Sequence, residues 1–236
     1  MMEARFAAIQ TRIAAACARA GRPRDDVVLV AVSKLQPPEA IRAGYALGQR
    51  DFGENYAQEL RDKHTALADL PGLRWHAIGP VQLKNAKYVA KAAHTFHALE
   101  RFDTAQELSK RRAAQAPSTP READEAAQPV APLRCLLEVN VGTEATKAGL
   151  TAEAAGTLAG QVRGLPNLEL VGLTCLPPFS EDPEASRPHF VALRKLGGTL
   201  GLKTLSMGTT QDFEVAIEEG ATLIRVGTAL FGARAP

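Results

Sequence analysis

A lysine closes the most apolar run near the start of the chain, Val27-Val28-Leu29-Val30-Ala31-Val32-Ser33-Lys34. If that run is a buried strand, its terminal amine is either lifted into solvent or kept in a partly desolvated pocket, where it becomes a nucleophile toward carbonyl carbon. Two later stretches could hold an anion. They are Ser206-Met207-Gly208-Thr209-Thr210 and Gly227-Thr228-Ala229-Leu230-Phe231-Gly232. Gly208 and Gly227 let a backbone come close to a ligand, and the free amides that open a helix favour negative charge. Each feature alone also reads as a solvated strand end or a capped turn. An amine and an anion site together suit a phosphorylated aldehyde or ketone, with Lys34 forming a Schiff base.

The elements that must position these groups alternate along the chain. Phe6, Ile9, Ile13 and Cys17 recur at helical spacing in an N-terminal helix over residues 2 to 20. Strands are predicted at 27–32, 51–53, 74–78, 95–99, 133–141, 168–174, 203–206 and 223–226. Helices are predicted between them at 37–47, 56–67, 82–93, 103–114, 151–162, 184–196 and 212–219, with a last short helix from Thr228. Eight strand-helix units in one chain of 236 residues favour a single (β/α)8 barrel over an open doubly wound sheet, so residues 1–236 read as one domain. An open sheet would want a glycine-rich loop after the first strand, and Ser33-Lys34-Leu35 is not one. In such a barrel the active face lies at the carboxyl ends of the strands. Polar residues expected there are Lys34, Glu54, Asn55, His76, Asn140, Ser206 and Arg225, and the loops after strands seven and eight are the usual phosphate positions. Residues 115–132, rich in alanine, proline and acid, read as a mobile loop on the opposite face.

Composition excludes several classes of function. The chain is 45% hydrophobic and 23% charged, with a net charge of +2, which gives no argument for nucleic acid or an anionic membrane as partner. Cys17, Cys135 and Cys175 are far apart and make no CxxC pair, pointing to a reducing cytoplasm without disulfides or structural zinc. No signal core is present at the N-terminus, and no window approaches the ~20 apolar residues of a membrane span. No exposed apolar face stands out, so a monomer is expected.

Pyridoxal 5'-phosphate leads the class of phosphorylated carbonyl compounds that a lysine captures. The segments AVSKLQPPEAI, FGENYAQEL, WHAIGPVQ, EVNVGTEATKAGL, GLTCLPP and LSMGTTQDFEVAIEEGATLIRVGTALFGAR occur in this order along nearly the whole chain. They resemble the YggS/PROSC family of pyridoxal phosphate homeostasis proteins, which share the barrel of the alanine racemase N-terminal domain. The resemblance implies that Lys34 is the Schiff-base lysine, that Ser206, Gly208, Gly227 and Thr228 surround the phosphate, and that Asn55 lies near the cofactor. By the same resemblance Arg225 faces the pyridine nitrogen, while by itself it also reads as half of a structural ion pair with a carboxylate at the barrel top. A guanidinium only donates hydrogen bonds, so the ring becomes a poor electron sink. It further implies intracellular vitamin B6 homeostasis without robust catalysis, with PLP-dependent apoenzymes as recipients. A racemase of related fold takes a second base from an added β domain, and no such domain follows in these 236 residues.

Two stretches depart from the family pattern. Gln82-Leu83-Lys84-Asn85 exchanges an amide and a lysine, and Thr209-Thr210-Gln211-Asp212 keeps only one acid, read as a helix-start charge. Lys147 shares the active face but reads as a solvated loop lysine. His94-x-x-His97 lacks a third ligand at metal spacing, so no metal site is expected. His76 reads as a hydrogen-bonded core residue and Cys175 as a small buried hydrophobe. The alternatives are a low-activity PLP-dependent racemase or decarboxylase, and a cofactor-free Schiff-base aldolase.

Overall fold

Valine-rich β1 (Val28–Val32) sits in the interior because β-branched side chains pack well on a sheet covered on both faces. It pairs in parallel with β2 (Asp51–Glu54) on one side and with β8 (Leu223–Val226) on the other. Between these run β3 (Arg74–Ala77), β4 (Thr95–Leu99), β5 (Leu133–Glu138), β6 (Leu168–Thr174) and β7 (Thr204–Ser206), each beside the next, so the sheet closes into an eight-stranded parallel barrel. The computed structural model describes residues 2–115, 130–142 and 149–232. The stretch read as a mobile loop lies outside the described residues over 116–129, and so does Lys147.

Helices cover the barrel: α1 (Met2–Arg19), α2 (Pro38–Ala46), α3 (Ala57–Ala66), α4 (Ala86–Ala92), α5 (Phe102–Ala113), α6 (Ala152–Val162), α7 (Arg187–Leu200), α8 (Phe213–Glu218) and α9 (Thr228–Phe231). Helix α1 is the one outside the strand-helix alternation. It buries Phe6, Ile9, Ile13, Ala16 and Cys17, the stripe that its 3.6-residue period brings to one face. Phe6 meets Phe231 of α9 edge to face, and Arg12 and Arg19 pair with Glu214 and Glu218 of α8. Among the described residues, no helix is long and apolar enough to cross a membrane.

Most boundaries move by a residue or so from the sequence reading, and three larger shifts have a visible cause. Strand β5 stops at Glu138 rather than 141, because the chain then leaves β4 and bonds to the returning segment: Asn140 N–H donates to the Leu150 carbonyl and Leu150 N–H to that of Glu138. Residues 83–85 form a 3-10 turn before α4 begins. Helix α7 continues through Gly197 and Gly198 to Leu200, since a helical glycine costs only about 1 kcal/mol against alanine and does not by itself end a helix.

Apolar side chains divide into two bodies. The larger lies between strands and helices and includes Phe52, Phe96, Leu108, Leu137, Phe190 and Phe213, all fully buried. The smaller, inside the barrel, is Val30, Leu136 and Leu223, with Val28 and Val171 against them. The rest of the interior includes polar side chains.

Candidate cofactor site

Lys34 follows β1 in a tight turn that α3 clamps from behind. Ser33 N–H donates to the Gly53 carbonyl, and Ser33 Oγ donates to Glu54 Oε1 at 2.5 Å. Lys63 Nζ, buried on α3, donates to the Ser33 carbonyl at 2.7 Å, to Glu54 Oε1 at 2.9 Å and to Glu59 Oε1 at 2.7 Å. Leu35 N–H donates to the same Glu59 oxygen at 2.6 Å, and this turn residue has φ of 61°, a left-handed conformation that leucine rarely takes. Burial pushes the Glu54 carboxyl up to about 7, against the opposing pull of Lys63 and Ser33. Glu54 Oε2 and Glu59 Oε2 are buried with no hydrogen-bond partner among the described residues. The backbone on either side of Lys34 is thereby held, while among the described residues its own amine has no partner.

That amine lines a cavity of about 290 Å³ at the carboxyl end of the barrel, at the low end of the range for small-molecule clefts. Lys34, Asn55, Arg225, Gly227 and Thr228 share its wall with Thr209 and Thr210. Asn55 follows β2 and is backed by Gly79, where a Cβ would come within 2.4 Å of the Asn55 carbonyl oxygen. Thr209 and Thr210 lie in a turn that Asp212 folds: Asp212 Oδ1 accepts from Thr209 N–H at 2.7 Å and from Thr209 Oγ1 at 3.0 Å. Asp212 thus binds the preceding loop and makes no side-chain cap to α8. Gly208, at φ 90°, has no room for a side chain, since a Cβ would sit 2.5 Å from that of Ala216. It is buried behind the wall, where its carbonyl accepts from Arg225 N–H.

Arg225 of β8 is held by four acceptors. Its Nη1 donates to Ser206 Oγ at 2.6 Å, to the Ser206 carbonyl at 2.7 Å and to Thr174 Oγ1 at 2.9 Å, and its Nη2 to the Cys175 carbonyl at 2.8 Å. Ser206 is fully buried beneath it, and its hydroxyl also meets His97 Nδ1 at 2.9 Å, so it stands behind Arg225 and not among the lining residues. Burial pushes the Cys175 thiol up to about 12, leaving it protonated and inert.

Sequence reasoning passed over Glu138 and the Glu54–Lys63–Glu59 cluster. Glu138 lines the cavity, and its carboxyl is raised by burial and by Glu100 nearby. The strand-end rule would have found it had β5 been ended three residues earlier. The Glu59–Lys63 pair was legible as an i,i+4 contact on a helix. Leu83–Asn85, the departure after β3, lies outside the cavity wall. His94 and His97 part company: His94 Nδ1 accepts from Trp75 N–H, while His97 joins His76 and Ser206 in the interior. Among the described residues no cluster of three metal-ligating side chains occurs.

The alanine racemase N-terminal domain family matches residues 5–235. A pyridoxal phosphate homeostasis protein of Pseudomonas aeruginosa is 44% identical over 231 residues, spanning 97% of this chain and 94% of that one. This chain belongs to the pyridoxal phosphate homeostasis protein family. Another member of the family, from Aquifex aeolicus, is 42% identical over 236 residues, covering 98% of this chain and 97% of its own. Among solved structures, PipY of Synechococcus elongatus with PLP bound superposes with a TM-score of 0.80 at 30% identity, over 98% of this chain and all of that one.

Proposed function

We propose that this chain is a cytoplasmic, monomeric barrel that binds pyridoxal phosphate covalently at Lys34 and takes part in intracellular PLP homeostasis, handing the cofactor to apoenzymes without robust turnover of its own. The observation that carries the reading is the cavity itself. One wall holds a lysine with a clamped backbone and, among the described residues, no partner for its amine, and another holds two threonine- and glycine-containing loops. That donor set fits the group: an amine for an aldehyde, and hydroxyls with helix-start amides for a phosphate.

Pyridoxal phosphate supplies a reactive aldehyde and a ring that can serve as an electron sink. The residues of this chain supply the rest. Thr210, Gly227 and Thr228 would hold the phosphate, with Thr209 already committed to Asp212, Asn55 would bound the ring, and Ser33, Glu54, Glu59 and Lys63 keep the Lys34 turn from shifting. Arg225, a group that only donates hydrogen bonds, would leave the ring nitrogen of a bound cofactor without a proton and so weaken the sink. Holding is favoured over turnover on that ground.

Borohydride reduction of the protein incubated with PLP, followed by peptide mass spectrometry, tests the site. A pyridoxyl adduct on Lys34 is expected. An adduct on another lysine, or none, rejects the assignment, and amino-acid turnover that vanishes in Lys34→Ala rejects the non-catalytic reading. Light scattering at working concentration checks the monomer.

A further inference from the structure

A polar chain crosses the barrel interior from β2 to β8. At the amino end of the strands Arg74 grips Asp51, with Nε 2.8 Å from Oδ1 and Nη2 2.5 Å from Oδ2. Asp51 Oδ1 lies 2.9 Å from His76 Nε2, His76 Nδ1 lies 2.9 Å from His97 Nε2, and His97 Nδ1 lies 2.9 Å from Ser206 Oγ. Ser206 Oγ then receives Arg225 on the cavity wall. All four interior links are buried, Asp51 at 7% exposure, His76 at 4%, His97 at 1% and Ser206 at 0%.

The two ends of this chain leave one assignment of protons. Asp51 works against burial, but Arg74 and His76 hold its carboxyl at about 2, so it is ionised and only accepts. His76 Nε2 therefore carries a hydrogen, and neutral His76 accepts at Nδ1 from His97 Nε2–H. From the other end, Arg225 only donates, so Ser206 Oγ accepts from it and passes its own hydrogen to His97 Nδ1. Both ends put the hydrogen on Nε2 of each histidine. A protonated His76 would reverse the middle of the chain and leave the Ser206 hydrogen facing two donors. Burial, with the positive charges of Arg225 and Arg134, also keeps His97 neutral.

We infer that His97, with His76 and Asp51 behind it, is a positioning residue: the chain fixes Ser206 Oγ as an acceptor for Arg225 and so holds the guanidinium in place on the cavity wall. A buried hydroxyl whose hydrogen is already committed cannot rotate away, so Arg225 keeps its acceptor whether or not a ligand is present. The inference rests on the PLP reading only for what Arg225 meets, and its test separates the two.

Long-range ¹H–¹⁵N spectra of the ligand-free protein read the tautomers directly. Both histidines are expected to carry a hydrogen on Nε2 and none on Nδ1, and the Arg225 guanidinium protons are expected to exchange slowly. A hydrogen on Nδ1 of either histidine overturns the inference. His97→Phe, which keeps ring volume and removes both nitrogens, is expected to speed Arg225 exchange without ligand. It should also weaken PLP retention roughly tenfold, as loss of a buried hydrogen-bond partner does, with the adduct still on Lys34 and a shifted cofactor absorbance. Unchanged exchange, affinity and absorbance reject the positioning role. Failure of the wild-type protein to bind PLP rejects the cofactor reading alone and leaves the tautomer and exchange results to decide this one.

Discussion

Inside and outside the barrel wall the same strands are packed in opposite ways. On the outside, between strands and helices, the contacts are apolar and redundant: Phe52, Phe96, Leu108, Leu137 and Phe190 are all fully buried. Inside, Val30, Leu136 and Leu223 make a small apolar body, and Asp51, His76, His97 and Ser206 are buried with them. A parallel barrel more often fills its interior with layers of branched apolar side chains. Each buried polar group needs its partner, so an interior of this kind specifies geometry strictly and adds little net stability. The outer layer holds the fold, and the inner chain and the Lys34 clamp hold the site.

That contrast breaks if substitutions in the two regions act alike. On a stability scale the largest effect is expected from the outer layer, where Leu108→Ala leaves a cavity under α5 and lowers unfolding free energy by about 2–5 kcal/mol in urea titrations. The pyridoxyl adduct on Lys34 should be unchanged in the folded fraction. Loss of the adduct would mean that the outer packing reaches the site.

An intermediate effect is expected at Glu54, where the clamp is buried. Its folded-state value of about 7 lies above the ordinary 4.5. The folded protein therefore binds a proton more tightly than the unfolded chain, and this contribution is full below about pH 4.5 and is lost as pH rises through 7. Glu54→Gln cannot titrate. The stability difference between wild type and Glu54→Gln should move against the wild type by on the order of 2 kcal/mol between about pH 5 and pH 8. His97, which burial drives the other way, is common to both proteins and cancels in the difference. A pH-independent difference would remove Glu54 as the titrating group of the clamp.

The smallest effect on stability is expected at Lys34 itself. Its amine has no partner among the described residues, so Lys34→Ala should shift unfolding by no more than about 0.5 kcal/mol. The same change should abolish borohydride-trapped adduct completely. A destabilised Lys34→Ala variant would show that the amine supports the fold, and the division between holding the fold and holding the site would no longer apply there.

By itself the sequence determined the eight-unit barrel, because periodicity and strand-helix alternation are local properties. Strands β4, β6 and β8 have the bounds read from the sequence, and α1 buries the stripe that its spacing predicts. It also brought Lys34, Asn55, Arg225, Gly227 and Thr228 to one end of the barrel, since a parallel strand puts its carboxyl end on a known face. Only the tertiary structure decided how the side chains between those ends are satisfied. Ser206, expected beside a phosphate, gives its hydroxyl to Arg225 and His97. His76, His97 and Asp51 stand on three different strands, and Ser33, Glu54 and Lys63 on a turn, a strand and a helix, so neither cluster has a spacing in the sequence. Hydrogen-bond partners 9 to 109 residues apart are chosen by barrel closure and by the demand of buried polar groups for one another. A local pattern records neither.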